Sequence, residues 1–283
     1  MKNRLILLTV LGVALGGGAY VRAQFGQEPA KLSVVKLKDD LFVIHNEYVP
    51  GNTTVLVTNE GLILVDDKFE IDHANILAQL KTFTNQPVKY VINTHHHGDH
   101  SGDNAKLQAM GAQVVTSWQA RQNMVDGKQP GLSNITIDNK ASLYLGGKRV
   151  DLFYFGRAHT NGDIVALFPA QRVLASGDLF TIGDTTPELV DYPGGGSAKQ
   201  WPQTISGVLS LDFDRVVPGH GTVGTKADMR KFYDTSVRLK NRVHEMIVAK
   251  KSKDEIAKML TAEFHYAEFH LGMSLDGLLV ELR

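Results

Sequence analysis

The sequence predicts a layered α/β fold, and three observations carry that prediction. Short β-rich runs recur between residues 31 and 176, segments with apolar residues at helical spacing interrupt and follow them, and 43% of the 283 residues are hydrophobic. Strands interleaved with helices fit a layer fold, and a chain of this length and composition can bury a large core.

The elements follow in order. Residues 31–38, 41–46, 53–58 and 61–65 read as a β meander, with turns marked by Asp39-Asp40, Pro50-Gly51 and Asn59-Glu60-Gly61. Ile76, Leu77, Leu80 and Phe83 lie at helical spacing and predict a helix over 72–84, which leads into a buried strand at 88–93. A short helix is expected at 105–110 and a strand at 113–117. Strands return at 141–145, 149–155, 164–169 and 172–176. Three capping boxes, Ser197 with Gln200, Thr225 with Asp228 and Ser252 with Glu255, open further helices. The last begins a carboxyl-terminal helical extension from about residue 250, in which His265 and His270 read as surface or packing residues because no partner motif accompanies them. No linker divides residues 24–283, so they read as one domain.

Composition narrows the class. Net charge is zero and the pI is about 7.2, so no large basic field invites nucleic acid. There is no cysteine, which rules out disulfides, a lipid-modified cysteine and thiolate ligands. At the amino terminus Lys2 and Arg4 precede an apolar run at 5–15, and Val21-Arg22-Ala23 fits small-residue cleavage before Gln24. Residues 1–23 therefore read as an export signal, with the mature chain periplasmic or secreted and no stable span, since the run falls short of the roughly 20 residues a spanning helix needs.

The chemistry concentrates at 94–103, Thr-His-His-His-Gly-Asp-His-Ser-Gly-Asp, directly after the expected buried strand. His95, His97, Asp99 and His100 fall within six positions, and imidazole with carboxylate is the donor set that suits a divalent metal such as zinc. Three more such residues follow strands: His159 in Phe-Gly-Arg-Ala-His-Thr-Asn-Gly-Asp, Asp178 in Leu-Ala-Ser-Gly-Asp-Leu-Phe and His220 in Arg-Val-Val-Pro-Gly-His-Gly. Each alone is an ordinary turn or cap residue. Five His and two Asp at four strand ends together point to a metal centre.

These residues resemble the metallo-β-lactamase superfamily, whose His-X-His-X-Asp-His pattern is followed by His, Asp and His at strand ends; the resemblance covers roughly residues 32–225. It implies a four-layer αββα sandwich with two zinc ions per chain in a cleft. His95, His97 and His159 would hold the first ion, Asp99, His100 and His220 the second, and Asp178 would bridge them. His96 falls at a variable position and reads as a supporting or solvated residue. The implied activity is hydrolysis of a small-molecule carbonyl compound (lactam, lactone, ester or thioester) by a bridging hydroxide, with Asp99 orienting it and passing a proton to the leaving group.

Substrate choice stays open. Many zinc β-lactamases carry cysteine or serine where Asp178 stands, and the all-His-and-Asp set looks more like glyoxalase II, lactonases and related esterases or thioesterases. Export argues against cytosolic glutathione thioesters and tRNA. A periplasmic β-lactamase-like enzyme and the group called quinoprotein relay metallohydrolases both stay open, and Gly195-Gly196-Ser197 and Val217-Pro218-Gly219-His220-Gly221 look similar to the latter. Beside hydrolysis stand an iron-dependent oxidoreductase on the same scaffold, disfavoured in its di-iron form by His97 in place of a glutamate, and a non-enzymatic metal-handling protein. The Gly- and Pro-rich segment 181–196 is expected to contact substrate through Asp184, Thr185, Glu188, Asp191 and Tyr192, with 125–134 as a second loop.

Overall fold

The computed structural model describes residues 28–47, 49–182 and 189–283. The expected export signal and its cleavage site lie outside the described residues, as do Asp184, Thr185 and Glu188.

Two sheets stack face to face. The first holds β1 (Ser33–Lys38), β2 (Leu41–His45), β3 (Thr53–Val57), β4 (Leu62–Val65), β5 (Val88–Ile92), β6 (Gln113–Ser117) and β7 (Ile135–Ile137) in sequence order. Short connections make β1 to β4 antiparallel. Helical crossovers through α1 (His73–Leu80), α2 (Gly98–Ser101) with α3 (Asn104–Ala109), and α4 (Trp118–Asp126) make β4 to β7 parallel. The second sheet has the order β13-β12-β11-β10-β9-β8. Its strands are β8 (Lys140–Leu145), β9 (Lys148–Tyr154), β10 (Ile164–Phe168), β11 (Val173–Gly177), β12 (Arg215–Pro218) and β13 (Gly224–Thr225). Helix α5 (Trp201–Leu209) carries the chain from β11 to β12, which pair in parallel.

Alternation along the strands divides the core into three layers. Between the sheets, Val43, Leu56, Ile63, Val65 and Ile92 meet Leu152, Ile164, Ala166, Phe168 and Val217. Behind the first sheet, Val55, Leu62, Leu64 and Val91 pack on Ile76 and Leu80 of α1 and Leu107 of α3. Behind the second, Val165, Leu167, Leu174 and Val216 pack on α5 and on α6 (Lys226–Val248), α7 (Lys253–Phe264) and α8 (Glu268–Glu281). Helix, sheet, sheet, helix is the αββα sandwich that the resemblance implies.

The capping boxes at Thr225 and Ser252 form as expected. Ser197 accepts the Gln200 N–H at 3.1 Å, but regular helix starts at Trp201 rather than directly after Ser197. The helix expected over 72–84 is a short 3-10 turn, Glu70–Asp72, followed by α1 and ending at Leu80, where the Thr82 hydroxyl donates to the Gln79 carbonyl at 2.6 Å. Phe83 instead stacks on Phe42 with centroids 4.2 Å apart. Besides the short α2 and β13, two elements escape the sequence reading. Helix α4 buries only Ala120 and Met124, too narrow a stripe to register as a period, and the three-residue strand β7 falls inside a polar stretch. The loop expected at 125–134 therefore begins inside α4.

Candidate metal centre

Every sequence-assigned ligand sits just beyond the carboxyl end of a strand: His95, His97, Asp99 and His100 after β5, His159 after β9, Asp178 after β11 and His220 after β12. Because the parallel strands of each sheet run the same way, their carboxyl ends share one edge, and the seven residues meet there. They form two clusters of mutually close donor atoms, His95, His97, His159 and Asp178 in one and Asp99, His100 and His220 in the other. Asp178 belongs to both by position. Its Oδ2 lies 3.5 Å from His159 Nε2 and 4.0 Å from His95 Nε2, while its Oδ1 lies 3.2 Å from His100 Nε2 and 3.4 Å from His220 Nε2. Gly219 is required beside it, since a Cβ there would overlap Asp178 Oδ1.

The outer bonds decide which ring nitrogens face the clusters. A carboxylate or carbonyl only accepts, so each imidazole nitrogen bonded to one carries the proton. His97 Nε2 donates to Asp191 Oδ2 at 2.8 Å, His159 Nδ1 to the Leu189 carbonyl at 2.5 Å, and His100 Nδ1 to Asp66 Oδ2 at 2.8 Å. Thr94 donates its hydroxyl to Asp66 Oδ2 at 2.9 Å and its N–H to Asp66 Oδ1 at 2.7 Å, which leaves its oxygen free to accept His95 Nδ1–H at 3.1 Å. The nitrogens left to face the clusters are thus His95 Nε2, His97 Nδ1, His159 Nε2 and His100 Nε2. His97 Nδ1 and His159 Nε2 are 2.9 Å apart, and buried His95 Nε2 and Asp178 Oδ1 have no hydrogen-bond partner among the described residues. Donor atoms that converge in this way are what a bound cation gathers, displacing any proton they share. The site fits the metal that the motif implies.

Electrostatics say the same. Burial works against charge on His220, yet Asp178 and Asp99 outweigh it and push it up to about 10. Burial opposes ionisation of Asp99 too, but His100 and His220 draw it down to about 2. In the first cluster burial, helped by the charge on His97, pulls His159 down to about 4. The two clusters therefore differ: burial pulls His95 and His159 down in the first, where on His97 burial is outweighed by Asp191, and the second balances carboxylates with protons that a cation would displace.

Supporting residues close the frame, and the sequence reading missed most of them. Asn52 spans the His220 turn, its amide donating to the Pro218 and Gly221 carbonyls at 2.9 and 3.0 Å and its backbone N–H to Gly219 at 2.8 Å. Lys68 is fully buried, which lowers its ammonium to about 7, and it donates to Asn46 Oδ1 at 2.9 Å and the Gly51 carbonyl at 2.6 Å. Asp66 carried a usable signal, an acidic residue at the end of β4 beside the ligand strand β5.

Asp191 corrects an expectation. It is buried against His97 rather than presented to substrate, so the 189–196 part of the long loop supports the centre. His96 lies 3.8 Å from Asp191 Oδ2 and accepts Asn123 Nδ2 at 3.3 Å through its Nδ1; with His97 and Asp191 it makes a third group of close donors. Gln129, in the second loop, donates to the His96 carbonyl at 2.7 Å. His265 is exposed at the end of α7, and His270 is buried where its Nδ1 accepts the Ala267 N–H at 3.1 Å, so both are the surface and packing residues expected.

Comparison with known proteins agrees with this geometry. The family model described as "Metallo-beta-lactamase superfamily" matches residues 47–220, more than half of the chain. The chain is 29% identical over 213 residues to the metallo-β-lactamase type 2 of Bacillus cereus, covering 70% of this chain and 80% of that protein. It is 26% identical over 205 residues to that of Elizabethkingia meningoseptica, covering 69% and 81%. Among solved structures, the metallo-β-lactamase from Pontibacter korlensis superposes with a TM-score of 0.64 at 24% identity, covering 72% of this chain and 99% of that one. DIM-1 metallo-β-lactamase gives 0.63 at 20%, covering 75% and 99%. From the matched motif, the shared fold and these relatives, it follows that the chain belongs to the metallo-β-lactamase superfamily and is a metal-dependent hydrolase.

Proposed function

We propose that the protein is an exported, binuclear zinc hydrolase that attacks the carbonyl of a lactam, lactone, ester or thioester. The observation that carries this reading is Asp178, whose two carboxylate oxygens each face one of the two clusters. His95, His97 and His159 would hold one ion, Asp99, His100 and His220 the other, and Asp178 would join them; this nitrogen-rich, thiolate-free set suits zinc. When bound, such ions polarise a carbonyl and lower the pKa of water from 15.7 to about 7.

The chain's own residues do the rest. His95, His100 and His159 are closed off at 0–1% side-chain exposure, whereas His97, Asp178 and His220 keep 10–12%, so substrate approaches across that rim. Asp99 Oδ2, 3.3 Å from His220 Nε2, belongs to the carboxylate placed to hold the proton given up by the attacking water and return it to the leaving group. Export rests on the charged and apolar pattern of residues 1–23. Among the described residues no helix is long and apolar enough to cross a membrane.

The test is a panel of β-lactams, lactones, thioesters and phosphodiesters on the zinc-loaded mature chain. β-Lactams stand first because the similar relatives are named metallo-β-lactamases, although Asp178 stands where many of those enzymes have cysteine or serine. Turnover of a carbonyl substrate that a chelator abolishes and zinc restores is expected. Activity on phosphodiesters alone, or with iron alone, would overturn the reading.

A further inference from the structure

The carboxyl-terminal helices lie beyond the family match at 47–220, yet α8 reaches the supports of the first cluster. Ser274, fully buried on α8, grips Val190 from both sides: its oxygen accepts the Val190 N–H at 3.1 Å and its hydroxyl lies 3.1 Å from the Val190 carbonyl. Val190 stands between the two residues that hold first-cluster imidazoles, Leu189 with His159 and Asp191 with His97. Farther along the same face, Gly277 meets the Tyr192 ring so closely that a Cβ would overlap it. One turn on, Glu281 accepts from Ser197 Oγ at 2.5 Å, Tyr192 OH at 3.0 Å and Lys199 N–H at 3.2 Å. Arg157 holds the same loop from the other side, donating to the Gly195 and Gly196 carbonyls at 2.6 and 3.0 Å.

We propose that α8 is a positioning element of the first cluster, with Ser274 its central positioning residue: through Val190 it fixes which nitrogens of His97 and His159 face the metal. The inference rests on the binuclear reading above. Its reach is specific, because the bonds that orient the second cluster come from Asp66 and Asn52, which flank β4 and β3. Loss of the Ser274 hydroxyl frees Val190, and the shift is felt one residue away on each side, at Leu189 and Asp191. Loss of partners that orient metal-holding imidazoles typically costs about 10- to 100-fold in metal affinity.

The experiment compares the full mature chain with Ser274→Ala and Glu281→Gln. Ser236→Ala is the control, removing a buried serine of α6 whose hydroxyl donates along its own helix to the Phe232 carbonyl at 3.1 Å. Zinc affinity of each equivalent is read by chelator competition, the cobalt-substituted visible spectrum reports coordination, and metal-free thermal unfolding reports stability separately. Ser274→Ala should weaken one equivalent about tenfold or more and alter the cobalt spectrum, with the other equivalent unchanged. Glu281→Gln, which keeps the side-chain shape, should weaken the same equivalent less, and carries the comparison if Ser274→Ala does not fold. Ser236→Ala should do neither. Wild-type binding of both equivalents in Ser274→Ala would overturn the proposal and leave the hydrolase reading standing. So would parallel weakening of both equivalents in Ser274→Ala and Ser236→Ala alongside a lower melting temperature. A wild-type chain that takes up no metal would overturn both.

Discussion

Replacing Asp66 by asparagine should disable the second metal position without touching a ligand. Asp66 accepts three hydrogen bonds, from Thr94 N–H at 2.7 Å, Thr94 Oγ1 at 2.9 Å and His100 Nδ1 at 2.8 Å. An amide has one acceptor oxygen and one donor nitrogen, so it cannot serve all three. If its oxygen keeps Thr94 N–H, its NH2 faces His100 Nδ1, and the imidazole must move its proton to Nε2, the atom aimed at Asp178 and His220. If it turns the other way, the buried Thr94 N–H meets a donor. Either outcome removes a charge-assisted bond of about 1.5–3 kcal/mol, equivalent to a roughly 10- to 150-fold loss of affinity at 1.4 kcal/mol per tenfold. Chelator competition on Asp66→Asn should show the second-position equivalent weakened by at least that factor, with the first position affected as well through the Thr94–His95 bond. Two equivalents bound at wild-type affinity would refute the tautomer argument.

Three further outcomes are expected. Asp178→Asn should lose zinc occupancy and turnover together, by roughly 100-fold or more, because its two oxygens face different clusters; two tightly held ions with low turnover would instead give Asp178 a direct chemical role. Burial, opposed by His73 and Lys106, raises the Asp103 carboxyl to about 6 from 3.8, so its contribution to stability is present below pH 4 and lost as pH rises through 6. Denaturation of the metal-free protein should show Asp103→Asn gaining on the wild type across that window by about 3 kcal/mol at most, and an unchanged difference would contradict the shift. Protein recovered from a Gram-negative expression strain should begin near Gln24, and an intact Met1 in a soluble cytoplasmic fraction would contradict export.

The centre was legible in the sequence because its chemistry is local. His95, His97, Asp99 and His100 share one short loop, and His159, Asp178 and His220 each follow a run that reads as a strand on its own. What surrounds them was not. Asn52 bonds to the His220 turn across 166 residues or more, and Ser274 to Val190 across 84, and no period or spacing announces such pairs. Asp191 misled for the same reason: in a glycine-rich loop it looks exposed, and only packing against His97 shows that it is buried. Strands and long amphipathic helices declared themselves through their buried faces, whereas α4 buries too little to do so.

The central claim, two zinc ions joined by Asp178, is tested most directly by anomalous diffraction at the zinc edge from crystals of the zinc-loaded mature chain. The account predicts two peaks about 3.5–4 Å apart on either side of the Asp178 carboxylate. One peak would lie among His95, His97 and His159, and the other among Asp99, His100 and His220. A single peak at full occupancy, or a peak among His96, His97 and Asp191 instead, would contradict it.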